Sequence, residues 1–130
     1  MESIAPGLLA RRVLTVAEEH TAVRWGSGAV RVFSTPQMIA LMEGAAVDAV
    51  DPLLPAGQQT VGSRVDVEHL APSPVGARVT AHAELTAVDG RRLTFRVWAE
   101  DSSGPIGRGT HERVVVDVAR FMARAAERAG

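Results

Sequence analysis

The chain has 130 residues, a formal net charge of -1 and no cysteine. Its length allows one domain with one core, and the missing cysteines exclude disulfides, Cys-ligated zinc and thiol nucleophiles. Near-neutral charge removes the broad electrostatic case for nucleic acid or an anionic membrane, and no apolar run approaches the ~20 residues that cross a bilayer.

The first residues show no basic stretch followed by an apolar one, so a cytoplasmic setting is expected. All 14 basic residues are Arg, beside abundant Ala, Val and Gly, a composition in keeping with a high-GC bacterial genome. Neither an internal repeat nor a second domain is visible, and one domain is expected over 1–130.

Val13-Leu14-Thr15-Val16 reads as the first strand. Trp25-Gly26-Ser27-Gly28 is a turn-rich break, and Ala29 to Phe33 forms a candidate flap over the start of the next element. From Thr35 the apolar residues recur at helical spacing (Ile39, Met42, Ala46, Ala49, Val50), with Met38, Leu41 and Ala45 beside them. A helix this greasy is a buried one. Thr35 is expected as its N-cap, Pro36 as its first helical residue and Asp51-Pro52 as its end. Glu43 is the only charge between the cap and Asp48, and it shares a face with Ile39, Ala46, Val47 and Val50. Such a carboxylate needs a partner or is desolvated, and its plainest reading is one that reaches a rim or a buried Arg. The helix face supplies no cation, so removing that charge is expected to leave stability intact or improved while turnover falls.

After Pro52 the period changes to two. Val61, Ser63, Val65, Val67 and His69 fall on one face, which points His69 inward, and Pro72 and Pro74 end the strand. Val79, Ala81, Ala83, Leu85 and Ala87 alternate with polar residues, Asp89-Gly90 forms a hairpin turn, and Leu93, Phe95, Val97 and Ala99 face inward on the return. Asp101 to Pro105 turns again. Ile106 to Val118 runs back as a strand, with Gly107 and Gly109 marking a bulge or a close approach by another backbone or a ligand. Ala119 to Gly130 suits a short surface helix. The sum is an α+β hotdog arrangement, a twisted antiparallel sheet of about five strands wrapped around one long central helix. Its open sheet edges predict a homodimer.

Thr35 at the helix start, Glu43 in its middle and inward His69 stand out chemically. Thr and His make a nucleophile and base with a carboxylate to orient the imidazole, or Glu or His activates water; both schemes fit acyl transfer. Eight residues of helix span ~12 Å, too far for Thr35 and Glu43 to bond directly. His69 would have to lie between them, or one group would have to come from a second subunit. The unpaired N–H groups at the helix start would suit a thioester oxygen. Against this, a cap fully explains a Thr before Pro, and an inward His is commonly a core residue. His20, His82 and His111 lack ligand spacing, so no metal site is expected; His82 is expected to be solvated, and His111 to pair locally with Glu112. Arg91-Arg92 reads most simply as a solvated turn, with a pyrophosphate contact as the lesser reading.

From about Phe33 to Ala123, through Ala40-Leu41-Met42-Glu43, Val61 to His69, Val88 to Leu93 and the string Gly107-Arg108-Gly109-Thr110-His111-Glu112-Arg113, the chain resembles the fluoroacetyl-CoA thioesterase group of hotdog-fold thioesterases. The resemblance implies a catalytic set of Thr35, Glu43 and His69, with Gly62 and Arg113 contacting substrate. It implies hydrolysis of a short or small acyl-CoA, in which Thr35 or a water attacks, His69 serves as acid and base, and Glu43 supports the attack. Coenzyme A would then be part of the substrate and no separate cofactor is needed. Trp25 to Phe33 is shorter and poorer in aromatics than the family's lid over the acyl group, so fluoroacetyl selectivity does not carry across. The alternative is a non-catalytic acyl-CoA or small-molecule binding module on the same scaffold. Hydratase chemistry would require an Asp/His pair in a different motif.

Overall fold

The computed structural model describes residues 3–130. Strands β1 (Leu9–Thr15), β2 (Gln58–His69), β3 (Arg78–Asp89), β4 (Arg92–Asp101) and β5 (Gly104–Asp117) form one antiparallel sheet in the order β1-β3-β4-β5-β2. Helices α1 (Ala22–Trp25) and α2 (Thr35–Val50) lie between β1 and β2 in sequence, and α3 (Val118–Ala129) follows β5. This is the predicted hotdog arrangement. Val79, Ala81, Ala83 and Leu85 of β3 and Leu93, Phe95, Val97 and Ala99 of β4 are buried against Met38, Met42, Ala45, Ala46, Ala49 and Val50 of α2. Burying each of the larger of these side chains contributes about 1.5–3 kcal/mol. The alanines let helix and sheet approach closely. α2 lies mainly over β1 and β3, so the inner face of β2, at the sheet edge, is thinly covered and Val65 there stays 41% exposed.

Several local expectations shift. The N-cap of α2 is Ser34, whose hydroxyl accepts the Gln37 N–H at 3.3 Å, so Thr35 is the first helical residue and Pro36 the second. Proline is tolerated there because N–H groups in the first turn have no intrahelical partner. In β2 a bulge between Gly62 and Arg64 breaks the alternation. Thr60 and Gly62 therefore face inward before it, and the expected face of Val65, Val67 and His69 holds only after it. A second bulge, between Leu85 and Ala87, moves Ala87 out, and the β3–β4 turn is Gly90-Arg91, with Asp89 paired to Arg92. The first strand starts earlier than expected, at Leu9. The close approach expected at Gly109 is present, since a Cβ there would meet the Asp66 carbonyl oxygen at 2.1 Å. α3 is the expected surface helix, with no buried residue.

Candidate active site

Because Ser34 takes over the cap, the Thr35 hydroxyl is free to turn outward. It meets His69: Thr35 Oγ1 and His69 Nδ1 are 2.8 Å apart. The pairing is held from both sides of the chain. The Phe33 N–H donates to the Ser73 carbonyl at 2.8 Å and the Ser34 N–H to the His20 carbonyl at 2.9 Å, and the Ser73 hydroxyl donates to Asp101 Oδ2 at 2.8 Å. The first bond ties the start of α2 to the loop that follows β2, the second ties it to the turn before α1, and the third ties that loop to the end of β4. The buried Phe33 ring stands edge-on to the His69 imidazole, with centroids 6.5 Å apart at 81°. A cavity of about 270 Å³ opens beside the pair, walled by Ala22, Val32, Phe33, Leu70 and Pro72.

Burial pushes the His69 pKa below its ordinary value, and the nearby Ala71 backbone opposes this in part. His69 Nε2 is buried and makes no hydrogen bond. A neutral imidazole next to a hydroxyl is the state in which Nδ1 can accept its proton.

A second cluster lies further along the inner face. Glu43 Oε2 stands 3.4 Å from Arg113 Nη1 and 3.9 Å from His111 Nε2. Gly62 faces the same carboxylate: a Cβ there would sit 2.7 Å from Glu43 Oε2, so only glycine leaves this space open. Arg113 is 6% exposed. Its Nε donates to Thr60 Oγ1 at 2.8 Å and its Nη2 to the Thr60 carbonyl at 3.0 Å. The Thr60 hydroxyl in turn donates to Asp51 Oδ1 at 2.6 Å. Burial pulls the Arg113 pKa down while the charges of Glu43 and Asp51 push back; the guanidinium stays protonated. Burial also lowers the His111 pKa, opposed chiefly by its bond to the Arg64 carbonyl.

Thr35 is thus brought to His69, and Glu43 to Gly62 and Arg113. Among the described residues no hydrogen bond or ion pair joins the two clusters within one chain. Three expectations are corrected. Glu43 does have a cation, supplied by β5. His111 is buried and turned toward Glu43, since it lies on the inner face with Gly109 and Arg113. His82 is stacked on Trp98 with centroids 4.9 Å apart and bonded to Glu100 at 2.7 Å. Thr60 and Asp51 escaped sequence reading, because only the bulge in β2 turns Thr60 inward. Among the described residues no three His, Asp or Glu side chains are grouped to hold a metal ion, and no helix is long and apolar enough to cross a membrane.

The family FlK, fluoroacetyl-CoA-specific thioesterase, matches residues 16–119. The fluoroacetyl-CoA thioesterase of Streptantibioticus cattleyicolor is 46% identical over 93 residues, which cover 72% of this chain and 67% of that protein. A solved structure of fluoroacetyl-CoA thioesterase FlK superposes with a TM-score of 0.91 at 35% identity, covering 96% of this chain and 97% of that one. A hot-dog-like protein from Thermanaerovibrio acidaminovorans gives 0.91 at 32% identity, with 99% and 96% of the two chains covered.

Proposed function

The chain belongs to the fluoroacetyl-CoA-specific thioesterase family of hotdog proteins and is a thioester hydrolase, and from that premise we propose that it cleaves a short or small acyl-CoA to the free acid and CoA using Thr35, His69 and Glu43. The observation that carries this reading is the 2.8 Å contact of Thr35 Oγ1 with a half-buried His69, its pKa lowered by burial, at the mouth of a cavity lined by apolar side chains and by Ser27 and Ser34. His69 Nδ1 takes a proton from Thr35 or from a water in its place, and the oxygen so freed attacks the thioester carbonyl. Charge develops on the carbonyl oxygen beside the start of α2, where the Gln37 and Met38 N–H groups are already committed to Ser34 and Pro36 has none, so it is the helix dipole that favours an anion there. The proton held by His69 then passes to the departing CoA sulfur. Where Thr35 made the attack, a water deprotonated by His69 next cleaves the acyl-Thr35 ester, releasing the acid and returning the proton to the Thr35 oxygen. Glu43 supports the attack. Relatives solved with fluoroacetate and CoA, and with acetyl-CoA, support a CoA thioester as substrate.

The two clusters become one site if the protein is a homodimer joined along β2. β2 is an edge strand, and the stripe Ile39, Glu43, Val47 on α2 is only half-buried beside exposed Val65. A two-fold antiparallel pairing of β2 with its copy sets the His69 end of each strand beside the Gly62 half of the other. It also covers the open edge.

The test is release of free thiol from a panel of acyl-CoAs. Turnover is expected on at least one short or medium member, with His69→Ala slower by ~10²-fold or more. Binding without any thiol release across the panel would assign the chain to the non-catalytic module instead.

A further inference from the structure

We propose that Asp51 and Thr60 are positioning residues: they lock the buried Arg113 guanidinium in one orientation and through it fix where the Glu43 carboxylate stands. The assignment rests on the thioesterase reading of the site.

An Arg side chain is long and rotamer-rich, and its planar fork is useful only when something sets its plane. Here one residue does so. Nε and Nη2 of Arg113 both donate to Thr60, to its hydroxyl at 2.8 Å and to its carbonyl at 3.0 Å. The Thr60 hydroxyl has no freedom to turn away. Its proton is committed to Asp51 Oδ1 at 2.6 Å, while Asp51 Oδ2 accepts the Thr60 N–H at 3.1 Å, so the hydroxyl lone pairs face Arg113. Asp51 follows directly on the last residue of α2, the helix that also carries Glu43. One helix therefore anchors both ends of the chain of contacts from Asp51 through Thr60 and Arg113 to Glu43.

The remaining nitrogen, Nη1, is aimed between Glu43 Oε2 at 3.4 Å and His111 Nε2 at 3.2 Å. His111 fits as a passive acceptor. Its Nδ1 lies 2.7 Å from the Arg64 carbonyl and must donate to it, which leaves Nε2 unprotonated toward Arg113. The contact to Glu43 is single and long, where an ion pair built for stability is commonly bidentate. Arg113 gives its two shorter bonds to Thr60 and offers Glu43 a fixed charge without closing around it. Glu43 keeps 39% of its side chain exposed. That is the arrangement of a carboxylate kept available to another group.

The experiment compares wild type, Thr60→Val, Thr60→Ser and Asp51→Asn for kcat and KM on the best acyl-CoA of the panel, together with the ¹⁵N–¹H resonance of Arg113 Nε. Losing a hydrogen bond to a charged group predicts a fall in kcat of about tenfold or more for Thr60→Val. KM is expected to change less than about twofold, because Arg113 acts on Glu43 and not, as the resemblance alone would have it, as a contact to bound substrate. Thr60→Ser keeps the hydroxyl and restores kcat to within about threefold of wild type, and its Arg113 Nε–H exchanges as slowly as in wild type. In Thr60→Val that protection is lost. Asp51→Asn, at a half-buried position, keeps an acceptor but weakens the hold on the hydroxyl and falls between the two; it carries the test if Thr60→Val does not fold. Wild-type kcat in folded Thr60→Val or Asp51→Asn, an unchanged Arg113 Nε–H, or a rise in KM alone overturns the assignment. A wild type that releases no thiol removes the thioesterase reading itself, and this role with it.

Discussion

Replacing Glu43 with Gln separates a catalytic carboxylate from a structural one, and the geometry sets the size of each effect. At 3.4 Å from Arg113 Nη1, two unit charges attract by about 5 kcal/mol at an effective dielectric of 20 and by about 1 kcal/mol in water. Glu43 is 39% exposed and Arg113 7% exposed at the side chain, so the pair lies between those limits. Gln still offers an oxygen to Nη1, and Arg113 keeps both bonds to Thr60. A loss of about 1–2 kcal/mol follows, which lowers Tm by roughly 3–8 °C in a domain of this size. This replaces the expectation of unchanged stability, which assumed that no cation faced the helix. If Glu43 acts in the reaction, kcat per folded molecule drops by ~10²-fold or more in the same sample. Thermal melting and thiol release measured in one buffer give both numbers. Normal turnover in the folded fraction, with Tm reduced as calculated, would refute a chemical role for Glu43 and leave it as the counter-ion of Arg113.

Because Ser34 is the cap, Thr35→Ala should leave Tm nearly unchanged while Ser34→Ala loses about 1 kcal/mol, and Thr35→Ala is expected to cut turnover ~10²-fold, with Thr35→Ser retaining much of it. Full activity in Thr35→Ala would assign the attack to a water activated by His69. Burial lowers the His69 pKa from its ordinary 6.5, so the acid limb of kcat/KM should fall below pH 6.5; a limb at or above that value would contradict the buried base. The sign for stability agrees: His69 and His111 resist protonation when folded, so their contribution is full above about pH 6.5 and declines as pH falls toward their lower folded-state values. If the site is shared across a β2 seam, an equal mixture of Thr35→Ala and Glu43→Gln chains, each inactive alone, should recover about a quarter of wild-type activity through mixed dimers. A sum no greater than the two parents, in a preparation shown to exchange subunits, would confine the site to one chain.

Patterns of period two and period 3.6 made the β3–β4 hairpin, the buried helix and the inward turn of His69 legible, because each depends on neighbours a few residues away. Ser34 and Thr35 are both good caps and local chemistry does not choose between them, so the expected cap, Thr35, stands one residue after the observed one, Ser34. The choice is made by His69, 34 residues on, which holds the Thr35 hydroxyl. Glu43 poses the same difficulty more sharply. A lone carboxylate on an apolar helix implies a partner, but the partner is 70 residues away and meets it only through the register of β2 with β5. That register contains a bulge, and a bulge is invisible to a period-two count. Read without it, Thr60 and Gly62 point away from the helix; read with it, they face Arg113 and Glu43 across the sheet edge. The same shifted residue thus opens the space at Gly62 that Glu43 occupies and turns in the Thr60 hydroxyl that holds Arg113, so one irregularity in β2 sets both the room for the carboxylate and the hold on its cation.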